Sequence, residues 1–505
     1  MQKGHINLSN ITHYKEMESS AMCVQSVFQN VDKRLCETGK VHNSNEDNIL
    51  DINSHISDES SFNATNMTEE TSNVQKIETN SLLGSYITKE YELLHLVLSH
   101  LPLGDLNAAS QVCRTWNSAA ASIRRSRISP HWLLWHSGQR LLIPEQYRSK
   151  CLNYSESMAS VPYLAFHEYV YSEPVLALMF ASHNMFRSRV LCANKNSCPA
   201  PISTHNDEED GHKHRVWEYI KAELQPSCPM ICLRGYGIIG TSPDLSETVE
   251  LETSKAFSIL LLPEMPGVNI YTFQLNKNQT SRFDHLSPHG LGADVIEELT
   301  GIPGGETIRC LLLFCADSTF FVSSITNLVT ALYGKSDERM AVAGGVFAEL
   351  GGIMENFPVM VGVAFSGDGV SVASTVLGST VRSERAADRV MQELKAHTVK
   401  DYNSSIGLMF ACVGRGKQHY RGKRNVESAA FRKYFPKTPL IGYFGNGEIG
   451  LKLLPDASDN IQERVGSSKV TKRRRNDVPE IMHSYTTIIV HLAFTKNNTT
   501  NHTHR

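Results

Sequence analysis

The 505-residue sequence lacks any long apolar run. Its most hydrophobic stretches, such as Ala256 to Pro263 and Cys310 to Cys315, have the length of strands, whereas a helix needs about 18 or more apolar residues to cross a bilayer. No membrane span is expected. An excess of charge is missing too: 49 Lys+Arg against 52 Asp+Glu leave a net charge of −3. A balance of this kind carries no general footprint for nucleic acid or an anionic membrane surface. The opening segment MQKGHINLSN has no apolar core of a secretory signal, so the chain is expected in the cytoplasm and nucleus. For a chain that stays there, the Asn-x-Ser/Thr matches at Asn63, Asn66, Asn153, Asn498 and Asn501 are expected to be chance.

A regular cysteine framework is also absent. Eleven cysteines, an odd number without even spacing, fit reduced thiols better than disulfides. Cys192, Cys198, His205, His212 and His214 cluster in a polar stretch, but their spacing matches no common zinc module. Cys228 with Cys232, and Cys310 with Cys315, lie beside apolar runs and read as core residues. Neither a metal nor another cofactor is expected.

What the chain does have is an ordinary globular composition, 41% hydrophobic and 20% charged, enough for a sizeable core. The length prior is about three domains. Residues 1–80 are set apart by Asn, Ser, Glu and Thr, with 6 Lys+Arg against 12 Asp+Glu, a charge of −6. Such a segment buries too little apolar surface to offset its ordering entropy and is expected to be a disordered acidic tail. The polar residues 496–505 are expected to be a second one.

Between 84 and 140 the pattern changes to helix. Leu93, Leu94, Val97, Leu98 and Leu101 fall at helical spacing on one stripe that Pro102 ends, and Leu106, Ala109, Val112, Cys113 and Trp116 form a second set. Two such short amphipathic helices cannot cover each other fully, so apolar surface is expected to face a partner. Trp132 to Trp135 read as the seam to the larger region beyond.

From about residue 141 strand-sized runs alternate with helical ones. Val175 to Ala181, Met230 to Leu233, Phe257 to Leu262, Thr307 to Ala316 and Val359 to Ser366 suit buried strands. Ile325, Leu328, Val329 and Leu332 repeat at helical spacing. A further helix opens at Ser383 as N-cap and carries Ala386, Ala387, Val390, Met391 and Leu394. Polar inserts interrupt the pattern at 194–215 and 456–480, the second holding Lys472, Arg473, Arg474 and Arg475. That basic run reads as a nuclear import signal, or as a solvated loop; four charges in a loop cannot specify bases.

The densest chemistry lies in Ile406 to Gly450. The run Leu408 to Val413 is a buried strand by pattern, and Gly414 and Gly416 flank Arg415 at its end. A helix from about Asn425 to Tyr434 comes next, then the strand Ile441 to Phe444 running into Gly445-Asn446-Gly447-Glu448. Arg415 and Glu448 are candidates for a buried ion pair between two Gly-rich turns, or for the lining of a small-ligand pocket; the two have the same appearance in sequence. Cys412 is a candidate thiolate, with Arg415 and Lys417 positioned to lower its pKa, or a buried strand residue. A Cys412–His419 nucleophilic pair lacks an identifiable third group.

Two resemblances arise from these residues. Leu101-Pro102, Asp105-Leu106 and Ser110-Gln111-Val112-Cys113-Arg114-Thr115-Trp116 resemble the F-box, with Lys89 and Glu90 where F-boxes commonly open with Leu-Pro. That resemblance implies docking onto the S-phase kinase-associated adaptor of cullin ubiquitin ligases, through Leu94, Leu98, Leu101, Pro102, Leu106, Val112 and Trp116. Phe410-Ala411-Cys412-Val413-Gly414-Arg415-Gly416 and Gly447-Glu448-Ile449-Gly450 resemble the FIST domain. The expected architecture is mixed α+β: a small all-helical F-box at 84–140, then a two-part α/β FIST region, 150–380 and 381–495. The combination implies a non-catalytic substrate receptor whose FIST region recruits client proteins, with Cys412, Arg415 and Glu448 as candidate client or ligand residues. The rivals are a ligand-sensing protein tethered by its F-box and a Cys-dependent enzyme.

Overall fold

A computed structural model describes residues 90–137, 170–191, 213–284, 292–316, 322–333, 340–351, 358–455 and 480–495. The expected acidic tail 1–80, the tail 496–505, most of both polar inserts, and with them Cys192, Cys198, His205, His212 and Lys472 to Arg475, lie outside the described residues. The fold divides into two compact units that meet in sequence between Arg127 and Ile128.

The first unit consists of three helices, Tyr91–Ser99, Leu103–Ala109 and Arg114–Ser126. Pro102 and Cys113, both extended, separate them. Trp116 does not belong with Leu106 and Ala109 on one helix, as the pattern suggests. It opens the face Trp116, Ala119, Ala120 and Ile123 of a third helix, which closes over Leu94, Leu98, Leu101, Leu106 and Ala109. The third helix therefore supplies the apolar cover that two helices alone lacked. Arg127 donates to the Ser99 and Leu101 carbonyls at 2.9 and 2.7 Å, satisfying acceptors that the end of the first helix leaves open.

The second unit is built on one strand pattern repeated three times. A middle strand, Pro174–Ser182, Ile308–Cys315 or Ser404–Cys412, has a parallel neighbour on one side, Met230–Gly235, Ala341–Val346 or Leu440–Gly445. On its other side runs an antiparallel neighbour, Ala256–Pro263, Met360–Ser366 or Thr487–Phe494. Beyond that lies a further antiparallel strand, His131–His136, Asn269–Leu275 or Val370–Leu377. The run Trp132 to Trp135 is thus not a seam but part of an edge strand in this unit.

After each parallel strand the chain crosses to another sheet. Gly237–Thr241 joins the sheet of Leu440–Gly445, Glu349–Gly351 that of Met230–Gly235, and Glu448–Gly450 that of Ala341–Val346. Each sheet is completed by a strand lent from the next, in a closed cycle. Residue 380, the expected division of the region, falls between Val370–Leu377 and Ser404–Cys412, which belong to one sheet.

The inward faces of the three sheets meet in a single core. Phe180, Phe314 and Phe410, one from each middle strand, pack mutually with centroids 5.4 to 6.2 Å apart, in the edge-to-face arrangement that aromatic quadrupoles favour. Leu178, Leu312 and Leu408 lie two residues before them in the same core. Helix Val322–Tyr333 covers the outer face of one sheet with Ile325, Leu328, Val329 and Leu332. Helices Glu384–Ala396 and Val426–Tyr434 cover another. Ser383 caps the first of these, its Oγ accepting from the Ala386 amide at 3.2 Å.

Candidate functional site

The strand Ser404–Cys412 ends in a tight turn, in which the Arg415 amide donates to the Cys412 carbonyl at 2.8 Å. Gly416 continues it at φ 78°, with the Glu252 carboxylate carbon 2.7 Å from where a Cβ would stand. Glycine suits this left-handed backbone, and a side chain there would also have to displace that carboxylate. The turn drives the Arg415 side chain inward until none of it is exposed.

Glu427, not Glu448, is its ion-pair partner. Arg415 Nε donates to Glu427 Oε1 at 2.8 Å, and Nη2 donates to the same oxygen and to the Tyr420 hydroxyl. Nη1 donates to the Gly378 and Tyr485 carbonyls at 3.0 and 3.2 Å. Tyr420 in turn donates to Glu427 Oε1 at 2.6 Å. A second buried carboxylate adjoins the pair: Glu250 accepts from the Ser428 amide at 2.8 Å. Burial, and then the charge of Glu427, push the Glu250 carboxyl up to about 7. One guanidinium therefore serves a cluster with two carboxyl groups, and the protonated form of Glu250 relieves the imbalance.

Glu448 occupies a separate position. Register pairs it with Gly345, where the other two sheets pair Leu350 with Leu233 and Ile238 with Tyr443. Measured against Phe314, Phe180 and Phe410, these are equivalent places, so a carboxylate stands where the repeat twice uses an aliphatic side chain. Its Oε2 accepts from the Thr486 amide and hydroxyl at 3.1 and 2.8 Å. Its Oε1 is buried with no hydrogen-bond partner, as is the Tyr443 hydroxyl. Burial pushes the Glu448 carboxyl up to about 7, against the pull of the Thr486 bonds.

The Cys412 thiol is raised, not lowered, first by burial and then by Glu448. The expected help from Arg415 is spent on Glu427, and Lys417 is exposed. A raised thiol pKa opposes a standing thiolate. His419 makes no pair with Cys412; its Nε2 lies 2.7 Å from the Val381 carbonyl. Cys412, Arg415 and Glu448 are all buried. No group of His, Cys, Asp and Glu able to hold a metal occurs among the described residues.

Of the docking residues read from the sequence, Leu94, Leu98, Leu101, Leu106 and Trp116 are buried in their own unit, as is Pro102, and Val112 is half-buried. The exposed apolar side chains of the first helix are Tyr91, Leu93 and Leu96, at 39%, 45% and 58%. Glu427, Tyr420 and Glu250 were missed. Glu427 had a signal: with Ala430, Phe431 and Tyr434 it forms an i, i+3, i+4, i+7 set, a carboxylate on an apolar helix stripe.

Comparison with protein families matches the F-box domain to residues 91–127 and the FIST C domain to residues 362–451. F-box only protein 22 of Homo sapiens is 28% identical over 420 residues, 80% of this chain and 93% of the relative. The same protein of Pongo abelii matches with the same figures. A crystal structure of cyanuric acid hydrolase from A. caulinodans covers 73% of this chain and 99% of its own at 11% identity and a TM-score of 0.29, too slight a likeness to carry fold or reaction across.

Proposed function

We propose that this chain, which carries an F-box and a FIST C domain and is similar to F-box only protein 22 over four-fifths of its length, is the substrate-receptor subunit of an SCF-type cullin-RING ubiquitin ligase. Its F-box docks the S-phase kinase-associated adaptor and, through it, the cullin; its FIST region recruits client proteins for ubiquitylation and proteasomal degradation. The observation that carries the reading is a three-helix unit that closes its own core and still exposes Leu93 and Leu96. Leucines at i and i+3 on one short helix face, once the core is closed, are a surface for a partner. The chain positions the client, and the chemistry belongs to the machinery on the cullin. Leu93→Asp with Leu96→Asp tests this: charge at exposed positions should abolish co-purification of adaptor and cullin while the chain stays folded. Undiminished co-purification would refute the docking face.

A second reading, a small-ligand-sensing FIST protein tethered by its F-box, draws on one observation. Glu448 Oε1 and the Tyr443 hydroxyl are buried and unpartnered, and such groups call for a hydrogen-bonding guest or water. Native mass spectrometry of the purified chain and of Glu448→Gln checks it. A small molecule held by the first and lost from the second supports sensing. We also propose residence in both cytoplasm and nucleus, with Lys472 to Arg475 as the import signal.

A further inference from the structure

The turn after Cys412 presents more than it buries. Val413 and Tyr485 are 44% and 62% exposed, and the Tyr485 ring lies 3.0 Å from where a Gly414 Cβ would stand. Tyr485 is held at φ 58°, a left-handed backbone that a non-glycine residue adopts at a cost and that recurs at binding sites. The grip is visible: Arg415, from below, donates to the Tyr485 carbonyl, and the Thr486 side chain and amide are tied to Glu448. The backbone that carries this exposed ring is thus held from within by the side chains of Arg415 and Glu448.

The two stretches of chain that adjoin this turn are basic. In the sequence Gly414 to Asn425 only Arg415 turns inward among the cations; Lys417, Arg421, Lys423 and Arg424 are exposed. His419 ties this stretch to the Val381 carbonyl, beside exposed Arg382 and Arg385. Of the nearby acids, Glu384 pairs with Lys423 at 2.5 Å and Asp388 with Lys433 at 2.6 Å, while Glu252 accepts from the Lys417 amide at 2.8 Å and keeps its charge. The side chains of Lys417, Arg421, Arg424, Arg382 and Arg385 have no carboxylate partner among the described residues. This local excess sits on a chain whose net charge is −3.

We propose that the Val413–Tyr485 surface and its cationic rim dock an acidic segment of a client protein, with an apolar side chain of that segment seated against Tyr485. The proposal rests on the receptor reading and gives it a recognition surface. Charge complementarity selects the acidic partner and hastens encounter, while the exposed aromatic ring supplies an apolar anchor on a backbone already held in place. The apolar centre favours a peptide over a polyanion whose charge alone would satisfy the rim.

The probe is a fluorescent peptide of aspartate and glutamate with a Leu-Phe pair at its centre, titrated into the full-length chain bound to adaptor. Binding should weaken at least about tenfold in Lys417→Glu/Arg421→Glu/Arg424→Glu, and also in Tyr485→Ser. A peptide with Leu-Phe replaced by Ser-Ser should bind more weakly than the parent. Equal affinity of the triple variant and wild type overturns the proposal. So does equal affinity of the Ser-Ser peptide, or tighter binding of duplex DNA or phosphatidylserine vesicles than of the parent peptide. The triple variant changes only exposed side chains, so it carries the test even if Tyr485→Ser unfolds. Adaptor capture, retained in these variants, reports the F-box separately, and loss of peptide binding alone leaves the receptor reading standing.

Discussion

Replacing Arg415 with Ala removes the cation that pairs with Glu427. Contacts to five partners go with it: Glu427, the Tyr420 hydroxyl and the carbonyls of Gly378, Val381 and Tyr485. Glu427 keeps one bond, from Tyr420, and its Oε2 is already without a partner. Glu250, also buried, stays beside it. Deleting one partner of a buried ion pair costs about 3–5 kcal/mol, because the surviving charge is left in a medium that solvates it poorly. At about 2–4 °C per kcal/mol for a domain of medium size, the melting temperature should drop on the order of 10 °C. Arg415→Met combined with Glu427→Gln removes both charges and keeps volume, and should recover most of that loss. Thermal melts of wild type, single and double variants, followed by far-ultraviolet circular dichroism, measure both. A single variant that melts within about 2 °C of wild type, or a double variant less stable than the single, would refute a structural role for the pair.

The same contacts set other outcomes. Glu250 is held at about 7 in the fold, above its ordinary 4.5, so its contribution to stability is full below about pH 4.5 and fades as pH rises through 7. Urea melts between pH 4.5 and 8 should show that slope in wild type and a shallower one in Glu250→Gln; identical slopes would exclude Glu250 as its source. His491, packed between Phe435 and Tyr402, is pulled down by burial from 6.5 to about 3. Its contribution is present above 6.5 and fades as pH falls toward 3, so His491→Phe should blunt acid sensitivity in that window, and an unchanged acid limb would count against it. In the helical unit Leu101→Ala should cost about 2–5 kcal/mol by opening its core, whereas Leu93→Asp should leave folding intact and stop adaptor binding; the reverse ranking would return the docking face to the buried leucines. Deleting residues 468–476 should shift stability by less than about 0.5 kcal/mol and lower the nuclear fraction seen by microscopy, and an unchanged fraction would refute Lys472 to Arg475 as an import signal.

Short-range signals in this sequence were legible and long-range pairings were not. Ser383 ahead of an amphipathic stripe gave the helix Glu384–Ala396, and unbroken apolar runs gave Ile308–Cys315 and Met360–Ser366, since strands buried on both faces need no alternation. Gly237–Thr241, GIIGT, is too short and glycine-rich to stand out, yet it completes the sheet of Cys412. Nothing local reports such an exchange of strands. The same limit applies to the site. Arg415 was legible as a presented residue because glycines flank it, but its partner had to be chosen among distant carboxylates, and Glu448 with its Gly-rich turn drew the assignment from Glu427. Cys412 looked activated because its sequence neighbours are cations; in space its neighbour is Glu448. In the F-box, Leu94, Leu98 and Leu101 of the apolar stripe are core and Leu93 is surface, because the helix that carries Trp116 closes over the first three.

The most direct test of the receptor reading is reconstitution: full-length chain, wild type or Leu93→Asp/Leu96→Asp, mixed with purified adaptor and cullin and resolved by size-exclusion chromatography. The account predicts co-elution of wild type with adaptor and cullin, and a folded double variant that elutes alone. A wild-type chain that elutes apart from the adaptor would contradict it.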